Sequence, residues 1–161
     1  MEIRTELEIA ASAPEVWAIL SDFPRYAEWN PFITEISGNA QVGERLRIAL
    51  SLPEGRDFTI EPRLLRCEDS RELRFRRHFL LPGLFDGEHF FRLEALGPKR
   101  TRFMQGENFS GILVRFSGRT ITRAARGFVY MNEALKRRAE GRGTGRPSEP
   151  SSLSSGGERV G

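Results

Sequence analysis

The C-terminal part of the chain contains a long helical pattern, between Ser117 and Glu140. Small and apolar residues recur there at intervals of three and four positions, which places them on one face of an α-helix. A helix of about 22 residues is about 33 Å long, enough to cross a small sheet. This face carries Ile121, Ala124, Ala125, Phe128, Asn132, Leu135 and Ala139. The pattern therefore predicts a long terminal helix that lies across a sheet.

The N-terminal segment alternates between apolar and charged residues from position 2 to 10, which predicts a half-buried strand. Ser12 can then cap a helix, with Pro14 and Glu15 suited to its first turn. This helix should end near Asp22, and a second short turn should end before Pro31. The pattern predicts two short helices after the first strand.

From Phe32 onward, short alternating segments are separated by turns rich in glycine and proline. The clearest alternation places Leu46, Ile48, Leu50 and Leu52 on one face of a strand. Hairpin-like spacing predicts an antiparallel meander. The fold class expected is therefore α+β, with a curved six- to seven-stranded antiparallel sheet wrapped around the C-terminal helix.

The composition is that of one ordinary globular domain, with 161 residues of which 39% are hydrophobic. We expect this domain to span residues 1–140. Residues 141–161 are rich in glycine, serine, proline and arginine, which predicts a flexible low-complexity tail. The apolar runs are too short to span a bilayer, and the N-terminus does not follow the pattern of a signal peptide. We therefore expect a cytoplasmic protein without stable membrane insertion.

The charge and the cysteine count exclude several classes of function. A net charge of +3 is too small to indicate nucleic-acid binding by itself. One cysteine and two histidines cannot form a clustered zinc site. Phosphate-loop and dinucleotide-binding glycine motifs are absent, so no cofactor is expected. The sequence carries no signature of the oligomeric state.

A basic face is predicted on the outer side of the terminal helix, opposite its apolar face. It would be solvated, or it would dock an acidic partner or an anionic membrane. Its members are Arg119, Arg123, Arg126, Arg137 and Arg138.

The sequence contains several short motifs: Pro14–Trp17, Asp22–Phe32, Gly87–His89, Phe109–Gly111 and Gly127–Phe128. Together they resemble the SRPBCC superfamily, which has the helix-grip fold of START proteins and the birch-pollen allergen. The chain is most similar to the bacterial branch described as polyketide cyclase/dehydrase-like. Phe75 and Gln105 depart from that branch, where many members carry tryptophan and histidine. The resemblance implies a cavity between sheet and helix that binds a hydrophobic or aromatic molecule.

The candidate polar groups of this cavity are His89 and Glu107. If the strands that flank Gly97–Lys99 form a hairpin, these residues lie opposite each other or one diagonal step apart. A carboxylate beside an imidazole is suited to acid–base catalysis or to orienting a ligand. Alternatively, the two side chains only satisfy each other's hydrogen-bonding groups in the core. A polyketide cyclase or dehydratase activity is therefore one alternative, and simple binding or carriage of a ligand is the other.

The candidate ligand-binding residues are Trp29, Phe32, Phe58, Phe75, Phe91, Phe103, Gln105, Phe109, Phe128 and Asn132. Trp29 and Phe32 would form the cavity mouth or, alternatively, a plug between the short helices and the sheet.

Overall fold

The computed structural model describes residues 1–79, 83–114 and 118–141. All of the predicted tail except Gly141 lies outside these residues. No helix within these ranges is long and apolar enough to cross a membrane. In chain order the elements are β1 (Glu2–Ile9), α1 (Ala13–Leu20), a 3₁₀ turn (Phe23–Arg25), α2 (Tyr26–Trp29), β2 (Ile33–Ser37), β3 (Arg47–Leu50), β4 (Phe58–Ile60), β5 (Arg63–Glu68), β6 (Glu72–Phe79), β7 (Phe85–Gly97), β8 (Arg100–Ser110) and α3 (Gly118–Ala139).

The strands form two antiparallel sheets. The larger has the order β1-β8-β7-β6-β5, and the smaller has the order β2-β3-β4. The α+β class and the helix-grip architecture are confirmed, but the described strands number eight and do not form one continuous meander. Pro62 lies at the corner between β4 and β5, where it has no N–H to donate to a ladder. Only an isolated bridge between Arg45 and Arg63 and a few backbone hydrogen bonds join the two sheets there.

Helix α1 begins with the cap that the sequence predicts. The backbone N–H of Glu15 donates to the hydroxyl of Ser12, and the carboxylate of Glu15 accepts from the backbone N–H of Ser12 at 2.7 Å. This reciprocal capping box satisfies two N–H groups that the helix leaves without partners. Pro14 occupies the first turn, where its missing N–H costs nothing.

The turn after α2 fixes the position of Phe32. The side-chain oxygen of the buried residue Asn30 accepts hydrogen bonds from the backbone N–H groups of Phe32 and Ile33, at 2.9 and 2.8 Å. The Phe32 ring then packs against α3, with its centroid 5.6 Å from that of Phe128. A Cβ at Gly127 would lie 2.2 Å from this ring, so only glycine allows the contact.

Helix α3 confirms the predicted terminal helix, and its C-terminal half is held against β1. The amide of Asn132 donates to the hydroxyl of Thr5 at 2.9 Å, and Lys136 donates to the backbone carbonyl of Glu8 at 2.7 Å. Met131 and Leu135 are fully buried between these contacts. The sheet therefore grips the second half of the helix, and the first half is left to cover the space beside it.

The contact between Phe32 and Gly127 predicts a stability change. Substitution Gly127→Ala should lower the free energy of unfolding by about 1 kcal/mol. Overpacking costs about 1–3 kcal/mol, which exceeds the gain of about 1 kcal/mol that alanine brings to a helix interior. Urea unfolding measures the change. Gly118→Ala is the matched control, because nothing lies within 4 Å of a Cβ at that position. Equal stability of the two variants would contradict the close contact.

Candidate functional site

Two adjoining cavities lie between the sheets and the first half of α3. The outer one has a volume of about 700 Å³, and the inner one of about 40 Å³. The inner cavity has room for only one or a few water-sized groups. Both are bordered by Phe32, Leu50, Ile60, Arg77 and Glu107. The inner cavity is therefore the deep end of the same site.

Strand pairing places the two candidate catalytic residues side by side. His89 of β7 lies directly opposite Glu107 of β8, and Phe75 of β6 lies opposite His89 on its other side. All three side chains border the inner cavity. The predicted pairing of His89 with Glu107 is confirmed as a geometric fact, and their chemical role stays a prediction.

Glu107 carries a buried negative charge. One carboxylate oxygen accepts hydrogen bonds from Nε and Nη2 of Arg77 at 3.3 and 3.1 Å, and the other lies 3.8 Å from Nδ1 of His89. Burial disfavours the charged form, but the His89 ring and the Arg77 charge outweigh burial and hold the pKa of Glu107 below its usual value. Glu107 is therefore an anion at neutral pH, and it acts as a hydrogen-bond acceptor.

Gly87 makes room for this charged pair. Arg77 belongs to β6 and Glu107 to β8, so the two side chains meet across the intervening strand β7. A Cβ at Gly87 would lie 2.5 Å from the Glu107 carboxylate oxygen and 3.1 Å from Nε of Arg77. The absence of a side chain at this position allows the ion pair to cross the strand.

The His89 ring is held among aromatic rings. Its centroid lies 4.8 Å from that of Phe91 and 5.0 Å from that of Phe128, both in edge-to-face geometry. The side-chain nitrogen of Gln105 lies 3.3 Å from Nε2 of His89. If this amide donates, Nε2 is the unprotonated nitrogen and Nδ1–H faces Glu107. In that tautomer Nε2 is the nitrogen that can accept a proton.

The structure divides the predicted ligand-binding residues into two groups. Phe75 and Phe128 border the inner cavity, Phe58 and Phe109 border the outer one, and Phe32 borders both. The others are buried but lie outside the lining of both cavities, so their contacts with a ligand stay predictions: Trp29, Phe91, Phe103, Gln105 and Asn132. Trp29 packs on Tyr26, with ring centroids 5.0 Å apart, and takes the plug position and not the mouth.

Several lining residues are not among the predicted site residues, and they include two arginines, Arg77 and Arg56. Arg77 follows Leu73 and Phe75 at a spacing of two, so the alternation of β6 already places it on the inward face. Arg56 lies between β3 and β4, and no periodic pattern assigns a loop residue to the cavity.

The predicted basic face of α3 requires correction at Arg123. This residue is half-buried and borders the outer cavity, although the helical pattern placed it opposite the apolar face. The smaller sheet and the loop before β4 enclose a flank of α3 in addition to the face on the larger sheet. Two other members pair with acids of the same chain, Arg126 with Glu54 and Arg138 with Glu28. The five arginines therefore do not form one free docking stripe.

A metal site has no support among the described residues. Within them, no group of three or more histidine, cysteine, aspartate or glutamate side chains is arranged to hold an ion. The single cysteine, Cys67, is half-buried, and burial raises the pKa of its thiol.

The buried charge of Glu107 predicts a pH-dependent stability. Glu107→Gln should lower the free energy of unfolding by about 3 kcal/mol at pH 7, because it removes the buried ion pair between Glu107 and Arg77. Since the pKa of Glu107 is depressed in the folded state, its contribution is complete above the unfolded pKa of about 4.3 and is lost as the pH falls further.

Urea unfolding of both proteins at pH 7 and pH 3.5 measures this effect, and the difference between them should narrow at the lower pH. Glu6→Gln is the control, because Glu6 forms an exposed ion pair with Arg4 and its loss should change stability by less than about 1 kcal/mol. A difference that is independent of pH would contradict the assigned ionisation of Glu107.

Comparison with known proteins agrees with this architecture. The structure is similar to the Zhui aromatase/cyclase from Streptomyces sp. R1128, with a TM-score of 0.72, 18% identity and coverage of 88% of this chain and 94% of that chain. A START superfamily protein from Mycobacterium smegmatis gives a TM-score of 0.70 at 21% identity, covering 88% of this chain and 99% of that one. A norcoclaurine synthase from Thalictrum flavum gives 0.67 at 16% identity, covering 88% and 95%.

These structures share the fold, and curated protein sequences give no significant match. Residues 1–140 match the family described as polyketide cyclase/dehydrase and lipid transport. This match confirms the resemblance that the sequence motifs predict. The chain therefore belongs to the polyketide cyclase/dehydrase and lipid transport family.

Proposed function

We propose that this protein binds a hydrophobic or aromatic small molecule in the outer cavity, with the inner cavity receiving one end of it. The observation that carries this proposal is an open space of about 700 Å³ beside α3, continuous with a deep end that holds a charged group. A volume of 300–1,000 Å³ is typical of sites for small organic ligands. The protein would carry or sequester this ligand.

The chemistry of the walls supports an apolar ligand. Leu50, Ile60 and Phe109 border the outer cavity from the strands, and Ile121 and Ala124 border it from α3. Apolar walls gain free energy when an apolar ligand displaces water from them, at about 25 cal/mol per Å² buried. The description of the family includes lipid transport, which agrees with this type of ligand.

Binding can be tested with a neutral fluorescent probe, phenylnaphthylamine. The fluorescence of the probe should rise and then saturate as wild-type protein is added. Ala124→Leu should weaken binding at least about tenfold, because three added carbon atoms enter the cavity. Ala125→Leu is the matched control, since Ala125 neighbours Ala124 on α3 but does not border the cavity. Absence of binding to the wild type, or equal binding to both variants, would contradict the proposed site.

A second candidate function is catalysis at the deep end of the cavity. The specific observation is the series of contacts from Glu107 through His89 to Gln105. His89 would take a proton from the ligand at Nε2, where the ligand would replace the Gln105 amide on the one lone pair of that nitrogen, and Glu107 would hold the ring and stabilise the imidazolium. Because the pKa of Glu107 is lowered, Glu107 is suited to orienting the imidazole and not to donating a proton. Two proteins of similar fold, an aromatase/cyclase and a norcoclaurine synthase, are named as enzymes, which supports this candidate.

This candidate predicts that the protein converts small polyketide-like or aromatic substrates. Chromatography of the products measures the rate. His89→Ala should lower the rate about 100-fold or more, and Glu107→Gln by a smaller factor, while phenylnaphthylamine binding persists. Gln105→Leu tests the amide contact, and it should shift the pH profile of the rate. No turnover by the wild type, or turnover that is indifferent to His89→Ala, would remove catalysis and leave binding as the function.

A further inference from the structure

The mouth of the outer cavity has an excess of positive charge. Three arginines border this cavity, Arg56, Arg77 and Arg123, against one carboxylate, that of Glu107. Arg77 and Glu107 pair with each other at the deep end. Within the described part of the chain, Arg56 and Arg123 form no ion pair. Two guanidinium groups therefore border an apolar cavity without an acidic partner among the described residues.

The two arginines come from different elements that meet at the opening. Arg56 belongs to the loop between β3 and β4, and Arg123 belongs to the second turn of α3. The ion pair between Arg126 and Glu54, at 3.2 Å, joins the same loop to the same helix. The pair is exposed, and it lies close to the two arginines that border the cavity, Arg56 and Arg123.

The cavity therefore has a gradient of polarity along its length. Its walls are apolar between the mouth and the Arg77–Glu107 pair, and its mouth offers guanidinium donors that match planar anions such as carboxylates in geometry and charge. The positive end of the α3 dipole lies at the same side, because Thr120 and Ile121 of its first turn border the cavity.

We infer that the ligand is an amphipathic anion, with an apolar body inside the cavity and an anionic group, such as a carboxylate, bound at the mouth by Arg56 and Arg123. This inference rests on the proposed binding function and adds the chemical class of the ligand. A neutral hydrocarbon would leave both guanidinium groups without a partner. A free small anion would leave the apolar walls in contact with water.

A matched pair of dyes tests the inference: neutral phenylnaphthylamine and anionic anilinonaphthalene sulfonate, which adds a sulfonate to the same ring system. We expect the wild type to bind the anionic dye at least about tenfold more tightly. The double variant Arg56→Gln/Arg123→Gln should lose this preference and keep its affinity for the neutral dye. The double variant Arg47→Gln/Arg137→Gln is the control, because it removes the same charge at exposed positions outside the cavity.

The outcomes distinguish the inference from the proposed function. If the neutral dye binds and Arg56→Gln/Arg123→Gln leaves the dye preference unchanged, the two arginines do not bind an anionic group and the inference is wrong. The proposed binding of an apolar ligand is then unaffected. If the control variant loses the preference equally, net charge explains it and the inference fails. If methanesulfonate displaces the anionic dye at concentrations close to that of the dye, at constant ionic strength, the apolar body adds no affinity and the inference also fails. If neither dye binds, the proposed function fails with it.

Discussion

The architecture depends on how the two halves of α3 meet the sheet. The C-terminal half is fixed on β1 by the Asn132–Thr5 and Lys136–Glu8 hydrogen bonds, with Met131 and Leu135 buried between them. The N-terminal half carries smaller side chains on the same side, among them Ala124, and faces the outer cavity. Because one half is anchored, the other can cover a space without filling it. The cavity follows from this division of one helix.

A second constraint is the cost of burying the Glu107 charge. An isolated carboxylate in an apolar interior is strongly disfavoured, so its partners must be supplied by the fold. Arg77 reaches it across β7, and Gly87 leaves the space in which the two side chains meet. His89 stands on its other side within an aromatic cluster. Three strands, β6, β7 and β8, thus contribute residues that accommodate one buried carboxylate at the deep end of an apolar cavity. Such an arrangement would be suited to orienting a ligand.

The two ends of the cavity differ in their electrostatics. At the deep end, the positive charge of Arg77 is compensated within the chain. At the mouth, Arg56 and Arg123 have no acidic partner among the described residues. A ligand that is apolar along most of its length and charged at one end would satisfy both conditions. The same geometry would serve carriage or catalysis, since a ligand bound in this way would be oriented relative to His89 in either case.

Local periodicity was sufficient to predict most of the elements of this protein and part of its site. The spacing from Ile121 to Leu135 indicated α3, the Ser12–Glu15 pattern indicated the start of α1, and the β7–β8 hairpin placed His89 opposite Glu107. These features can be predicted from the sequence because they depend on residues a few positions apart or on one strand pair. The division into two sheets, the void beside α3, the Arg77–Glu107 contact over Gly87 and the position of Arg123 at the mouth depend on how distant elements pack. A void is the volume that packed surfaces leave between them, so only the tertiary structure decided where the cavity lies and which side chains border it.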